Sequence, residues 1–257
     1  LIHPFHLLFF VSAEAQTIRE SFVVLPANQH SLANQILNHN EESPTKRRKV
    51  LSSTPMTPEQ VLNCFLREVT NNFYTGHLKE TTFTALMASI LSEYMSDLDG
   101  VKVLHQPQIC ETRARPDITI CEWTDDKGLS WPLCAIEYKH GVLTPTITQC
   151  RSRAIQLWRC KQVFRPLLGL AINQYFETHM ELYVPILSKE NTLPVLGCIF
   201  LIATKSHQHE PQQCADVIAI LKHAIRCVQE SAVMTPMEPV ALDIEYISLE
   251  LGDDEDE

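Results

Sequence analysis

The sequence predicts an α/β domain, a mixed β-sheet flanked by helices, and three observations carry that prediction. Apolar residues recur at three- and four-residue spacing in two early stretches, give way to short alternating or continuous apolar runs, and return to helical spacing near the end. Turn-forming residues punctuate the short runs. The 257 residues are 45% apolar with only 7 glycines, which provides for a buried core and argues against Gly-rich or loop-dominated classes.

Taken in order, the elements are as follows. Thr57 suits a helix N-cap, Pro58 the first helical position and Gln60 the partner in a capping box, so a helix is expected from there to about Tyr74. A second helix over 78–96 would bury Phe83, Leu86, Met87, Ile90, Leu91 and Tyr94 on one face. Val101 to His105 alternates as a strand. Asp117 to Glu122 and Leu133 to Lys139 are two more, separated by the hairpin signal Asp125-Asp126-Lys127-Gly128. These strands read as an antiparallel meander. Thr144-Pro145 opens a helix reaching about Val163, and Leu167 to Ile172 is apolar enough to be a central strand. Strands over Glu181 to Leu187 and Leu196 to Ala203 follow. A helix over Gln212 to Glu230, with the stripe Val217, Ile218, Leu221, Ala224, Ile225 and Val228, completes a domain expected at 57–235.

Residues 1–56 mix Ser, Asn, Pro and His without sustained periodicity and read as a disordered leader. Within it, Leu7 to Val11 and Ala13-Glu14-Ala15 have the form of a secretory core and cleavage site, without a basic segment before them. Lys46-Arg47-Arg48-Lys49 is similar to a monopartite nuclear localisation signal, which implies the nucleus and a nuclear import receptor, with a solvated basic linker as the alternative. Residues 236–257 read as an acidic tail. No apolar run is long enough for a membrane helix. The nine cysteines are irregularly spaced, with no Cys-x-x-Cys pair, and read as reduced, buried thiols.

The formal charge of −10 weighs against nucleic-acid binding, yet five of the acidic residues stand in the terminal run Asp253 to Glu257. From Tyr138 to Phe176 there is no acidic residue, while Lys139, Arg151, Arg153, Arg159, Lys161 and Arg165 fall within that span and Arg113 and Arg115 precede it. An acidic chain with such a basic stretch has what phosphate contact requires, an ordinary basic helix face being the alternative. There is no Gly-rich phosphate loop, nucleophile elbow or dinucleotide fingerprint. His207-Gln208-His209-Glu210 lacks a second cluster to complete a metal site.

The chemistry concentrates in Pro116-Asp117 and Glu137-Tyr138-Lys139. Glu137 and Lys139 are two apart on a strand and share a face, and hairpin pairing can bring Asp117 to them. Two carboxylates suit a hard divalent cation, and a lysine beside them can orient a water or stabilise charge on phosphorus. Pro-Asp, a spacer and Glu-x-Lys resemble the PD-(D/E)XK nuclease superfamily. The order helix, meander, helix, strand resembles its restriction-endonuclease-like core over roughly residues 76–175.

That resemblance implies a Mg²⁺- or Mn²⁺-dependent nuclease, endo- or exo-acting, that hydrolyses DNA phosphodiester bonds. Asp117 and Glu137 would be metal ligands and Lys139 catalytic. Gln156, ahead of Gln149, would be the motif glutamine, and Glu80, ahead of Glu93, a glutamate contributed by the preceding helix. Arg115, His140, Gln149, Arg151, Arg153 and Arg159 would contact nucleic acid. The superfamily fold also occurs in Crinkler-type effectors and mobile-element products, which leaves an interaction module, or a secreted effector reaching a host nucleus, as the alternative.

Overall fold

The computed structural model describes residues 22–38, 56–74, 79–107, 115–124, 129–161, 165–186, 195–204 and 211–231. The chain forms β1 (Phe22–Val24), a 3-10 turn (Ala27–Gln29), α1 (Ser31–Leu37), α2 (Pro58–Tyr74), α3 (Glu80–Tyr94) and β2 (Val101–His105). It continues through β3 (Ile118–Thr124), β4 (Leu129–Lys139), α4 (Leu143–Lys161), β5 (Leu167–Asn173), β6 (Thr178–Ile186), β7 (Val195–Thr204) and α5 (Pro211–Glu230). The class is α/β, as predicted. The capping box at α2 forms in both directions: Thr57 N–H donates to Gln60 Oε1 at 2.8 Å, and Gln60 N–H donates to Thr57 Oγ1 at 3.2 Å.

One seven-stranded sheet has the order β1-β7-β6-β5-β4-β3-β2. The expected meander β2-β3-β4 is antiparallel, and β5 lies in the middle of the sheet, parallel to β4 and buried throughout. The α4 crossover makes that parallel pairing possible. On one face, α3 packs on β2 and β4, and α5 on β4, β5 and β7, with α2 against α3 and α5. Strand alternation sends Ile136, Tyr138, Leu168, Leu170, Ile172, Met180 and Leu182 into this larger core. On the other face α4 covers β4, β5 and β6.

Residues 22–38 correct the expectation of a disordered leader through residue 56. Phe22, Val23 and Val24 pair in parallel with Leu196, Gly197 and Cys198, and Leu32, Ala33 and Ile36 of α1 are buried. A three-residue strand and a seven-residue helix are too short to show a hydrophobic period, and the tertiary partners that stabilise them lie far away in sequence. The basic segment Lys46 to Lys49, the Asp125 to Gly128 turn, the His207 to Glu210 stretch and the acidic tail lie outside the described residues. Among the described residues, no helix is long and apolar enough to cross a membrane, and the cysteines form no disulfide and are mostly buried.

Two features seat α4 on the sheet. The first is a strip of small residues. Ala135 and Gly169 are cross-strand partners, Ala171 follows Gly169 two residues along the same strand opposite Glu137, and Ala154 of α4 packs into the same cluster as Ala135. A Cβ on Gly169 would run into the Tyr183 ring. The second is a buried ion pair. Arg151 donates from Nε to Glu181 Oε2 at 2.9 Å and from Nη2 to Oε1 at 2.5 Å. His179 Nε2 lies 2.8 Å from Oε1, and the Tyr183 hydroxyl donates to Oε2 at 3.1 Å. Burial pushes the Glu181 carboxyl up, but the bonds from Arg151 and His179 outweigh it and hold it at about 2. Arg151 was expected to contact phosphate; its side chain is instead turned inward, because the buried Glu181 carboxylate on β6 takes up its guanidinium.

Gly169→Ala is expected to destabilise the fold by about 1–3 kcal/mol through overpacking against Tyr183, measured by denaturant unfolding. Breaking the buried pair with Glu181→Gln is expected to cost about 3–5 kcal/mol at neutral pH. Because the folded carboxyl sits below its ordinary value of 4.5, its contribution is complete above that pH and fades as the pH falls toward about 2. The stability difference between wild type and variant should therefore narrow across that acid window. A difference that stays constant through it would refute the pair's role.

Candidate active site

The paired hairpin β3–β4 builds the site. Ile118 stands opposite Ile136, so one step outward sets Asp117 against Glu137. Asp117 Oδ2 accepts from Tyr138 N–H at 2.9 Å, which aims the carboxylate across the end of β4. Tyr138 itself points to the opposite face, where its ring stacks on Phe83 of α3 at a centroid distance of 4.0 Å. That contact ties the first turn of α3 to β4 and brings Glu80 to Lys139, with which it forms an ion pair.

Glu137 is fully buried and Asp117 is 7% exposed. Glu137 Oε1 accepts from Arg153 Nε at 3.2 Å, while Oε2 is buried without a hydrogen-bond donor among the described groups. Burial pushes the Glu137 carboxyl up to about 8; the charge of Asp117 adds to this, and Arg153 and Lys139 oppose it. Asp117 is also raised, chiefly by burial, against the opposing Tyr138 N–H and Lys139. The two carboxyls face each other closely enough to share a proton. Burial pulls Lys139 down, but Glu80, Asp117 and Glu137 outweigh it, so it remains an ammonium at neutral pH.

This arrangement fits a divalent cation. Burial disfavours the ionised form of both carboxyls, and Glu137 Oε2 has no donor among the described groups, so a divalent cation there would compensate the buried negative charge. Among the described residues no group of three or more His, Cys, Asp and Glu side chains converges as a metal cage. Mg²⁺ is commonly held by one or two carboxylates, with water and substrate oxygens completing its shell. Glu80, expected as a further ligand, is engaged by Lys139 at the start of α3. Glu93, its rival, is exposed near the far end of that helix.

The remaining expected residues separate by distance from the carboxylates. Gln156 reaches them at one remove, accepting from Arg153 Nη1 at 3.1 Å. Gln149 is partly buried on α4, and among the described residues no hydrogen bond joins it to the carboxylates. His140 is exposed just past Lys139, its Nδ1 2.7 Å from Gln174 Oε1 in the β5–β6 turn. Arg115 is exposed two residues before Asp117. Arg159 lies on α4, its side chain outside the described residues. Sequence reasoning missed the Tyr138 amide, a backbone donor common to every non-proline residue, and the attachment of Arg153 to Glu137, which only the helix-to-sheet packing creates. Comparison of the chain with protein-family models, curated proteins and solved structures finds no match.

A carboxyl raised in the folded state costs stability once the pH passes its unfolded value of 4.5, and the cost grows until the folded value near 8. Glu137→Gln is therefore expected to be more stable than wild type in metal-free buffer. The gain should be near zero at about pH 4 and on the order of 4 kcal/mol by about pH 8. Denaturant unfolding at a series of pH values measures it, and a variant less stable than wild type at the alkaline end would contradict the assignment.

Proposed function

We propose that the protein is a metal-dependent nuclease of the PD-(D/E)XK type, with a restriction-endonuclease-like core, that hydrolyses DNA phosphodiester bonds in the nucleus. The observation that carries this reading is the buried Asp117–Glu137 carboxyl pair, with an orphaned Glu137 oxygen, set beside a lysine that keeps its charge. Asp117 and Glu137 would hold Mg²⁺ or Mn²⁺, and the ion, when bound, would lower the pKa of a water and neutralise a phosphate oxygen. Lys139, an ammonium at neutral pH, would donate hydrogen bonds and positive charge to the attacking water or the phosphorane-like transition state; it is not a base there. Arg115 and His140, exposed at the same end of the hairpin, would meet the nucleic-acid backbone. Nuclear action is supported by Lys46 to Lys49 alone.

A second reading has its own observation. Arg153 on Glu137 and Lys139 on Glu80 neutralise acidic groups from within, as a nuclease-fold interaction module without turnover would. Cleavage of supercoiled, linear and single-stranded DNA, with Mg²⁺, Mn²⁺ or chelator, separates the two. Wild type is expected to cut only with metal, Lys139→Ala to lose about 10²–10³ in kcat, and Asp117→Asn to lose metal-dependent cutting. DNA binding without any metal binding or cleavage would favour the module.

A further inference from the structure

The two cationic side chains at the carboxylates are differently mounted. Lys139 rises from the same strand as Glu137 and is held by Glu80. Arg153 comes across from α4, the opposing layer, and is the described donor on Glu137 Oε1. Its Nη1 is braced by Gln156, one turn further along the same helix. The Arg153 side chain is 20% exposed while that of Glu137 is fully buried, so the guanidinium stands at the boundary between solvent and the carboxylate pocket.

A divalent cation entering between Asp117 and Glu137 therefore meets a carboxylate that already carries a guanidinium. Two cations on one carboxylate in a water-poor pocket repel strongly. The guanidinium lies at the solvent boundary, so it has room to turn outward, and a planar fork of donors released at a metal-bound site suits a phosphate.

We infer that Arg153 is a latch: it holds Glu137 in the metal-free protein and is released by the metal onto the phosphate backbone of bound DNA, so that metal and DNA each strengthen the other's binding. This deepens the nuclease reading above and rests on it. Arg153 acts here as a positioning residue, and Gln156 sets how firmly the latch is held. Reciprocity requires that the factor by which metal tightens DNA equals the factor by which DNA tightens metal.

The test uses Ca²⁺ as the metal probe, because it binds oxygen ligands in flexible geometry. Calorimetry is run at a series of pH values up to about 9 and in buffers of different ionisation heat, so that proton displacement from Glu137, whose carboxyl the loss of Arg153 raises further, is separated from cation binding in each variant. A short DNA duplex is the second ligand, and circular dichroism confirms that each variant is folded. Arg153→Gln is expected to bind Ca²⁺ about tenfold more tightly than wild type and to lose most of the mutual strengthening between Ca²⁺ and duplex. Gln156→Leu leaves the charge unchanged and loosens only the brace; about a threefold gain in Ca²⁺ affinity is expected, which charge removal alone would not produce. Ca²⁺ affinity in Arg153→Gln equal to or below that of wild type, or mutual strengthening left intact, overturns the latch and leaves the metal site standing. Absence of Ca²⁺ binding in wild type and in both variants overturns the latch and the nuclease reading together. Absence in wild type with binding in Arg153→Gln supports the latch if the duplex restores Ca²⁺ binding to wild type, and overturns the nuclease reading if it does not.

Discussion

The structure depends on how closely α4 lies against the sheet. Ala135 on β4 packs in one cluster with Ala154 of α4, Gly169 leaves room for the Tyr183 ring, and two arginines two residues apart on the helix reach two buried glutamates on different strands. Arg151 pairs with Glu181 on β6 and Arg153 with Glu137 on β4. The first pair is closed: its carboxylate has donors on both oxygens from Arg151, His179 and Tyr183, and it titrates far into the acid. The second is open, with one oxygen satisfied and the other facing Asp117. The same helix thus fully satisfies one carboxylate and leaves the other with an oxygen that has no donor among the described groups. The difference is the number of donors each glutamate receives.

The opposite face makes its own contribution. Phe83 stacked on Tyr138 joins α3 to β4, and the Tyr138 amide holds Asp117. One residue therefore anchors the site by its ring on one side of the sheet and by its backbone at the strand end. Glu80 and Lys139 meet as a consequence of that anchoring. The charged groups are drawn from α3, β3, β4 and α4, and the packing of the cores sets their geometry.

Much of this was legible in the sequence. The capping box at Thr57, the apolar stripe of α5 and the alternation of β2 are local signals, and each element formed within a few residues of its expected bounds. Asp117, Glu137 and Lys139 could be placed together because a hairpin has a definite register. What could not be read was set by partners distant in the chain. β1 and α1 are too short to carry a period and exist through β7 and α5. Arg151 and Arg153 look alike in sequence as basic residues on one helix, and only the third dimension shows that both face carboxylates before they face solvent.

The parallel pairing of β1 with β7 bears on where this molecule can be cut. A fragment started at the first strong helical signal, Thr57, would look like a whole domain on paper. It would leave β7 as a bare margin, with the backbone groups that receive Phe22 to Val24 open to any passing extended chain. It would also strip the cover that α1 lays over α5. Such a fragment would be prone to self-association, and its poor solubility would reflect a missing border strand, not a fault in the core.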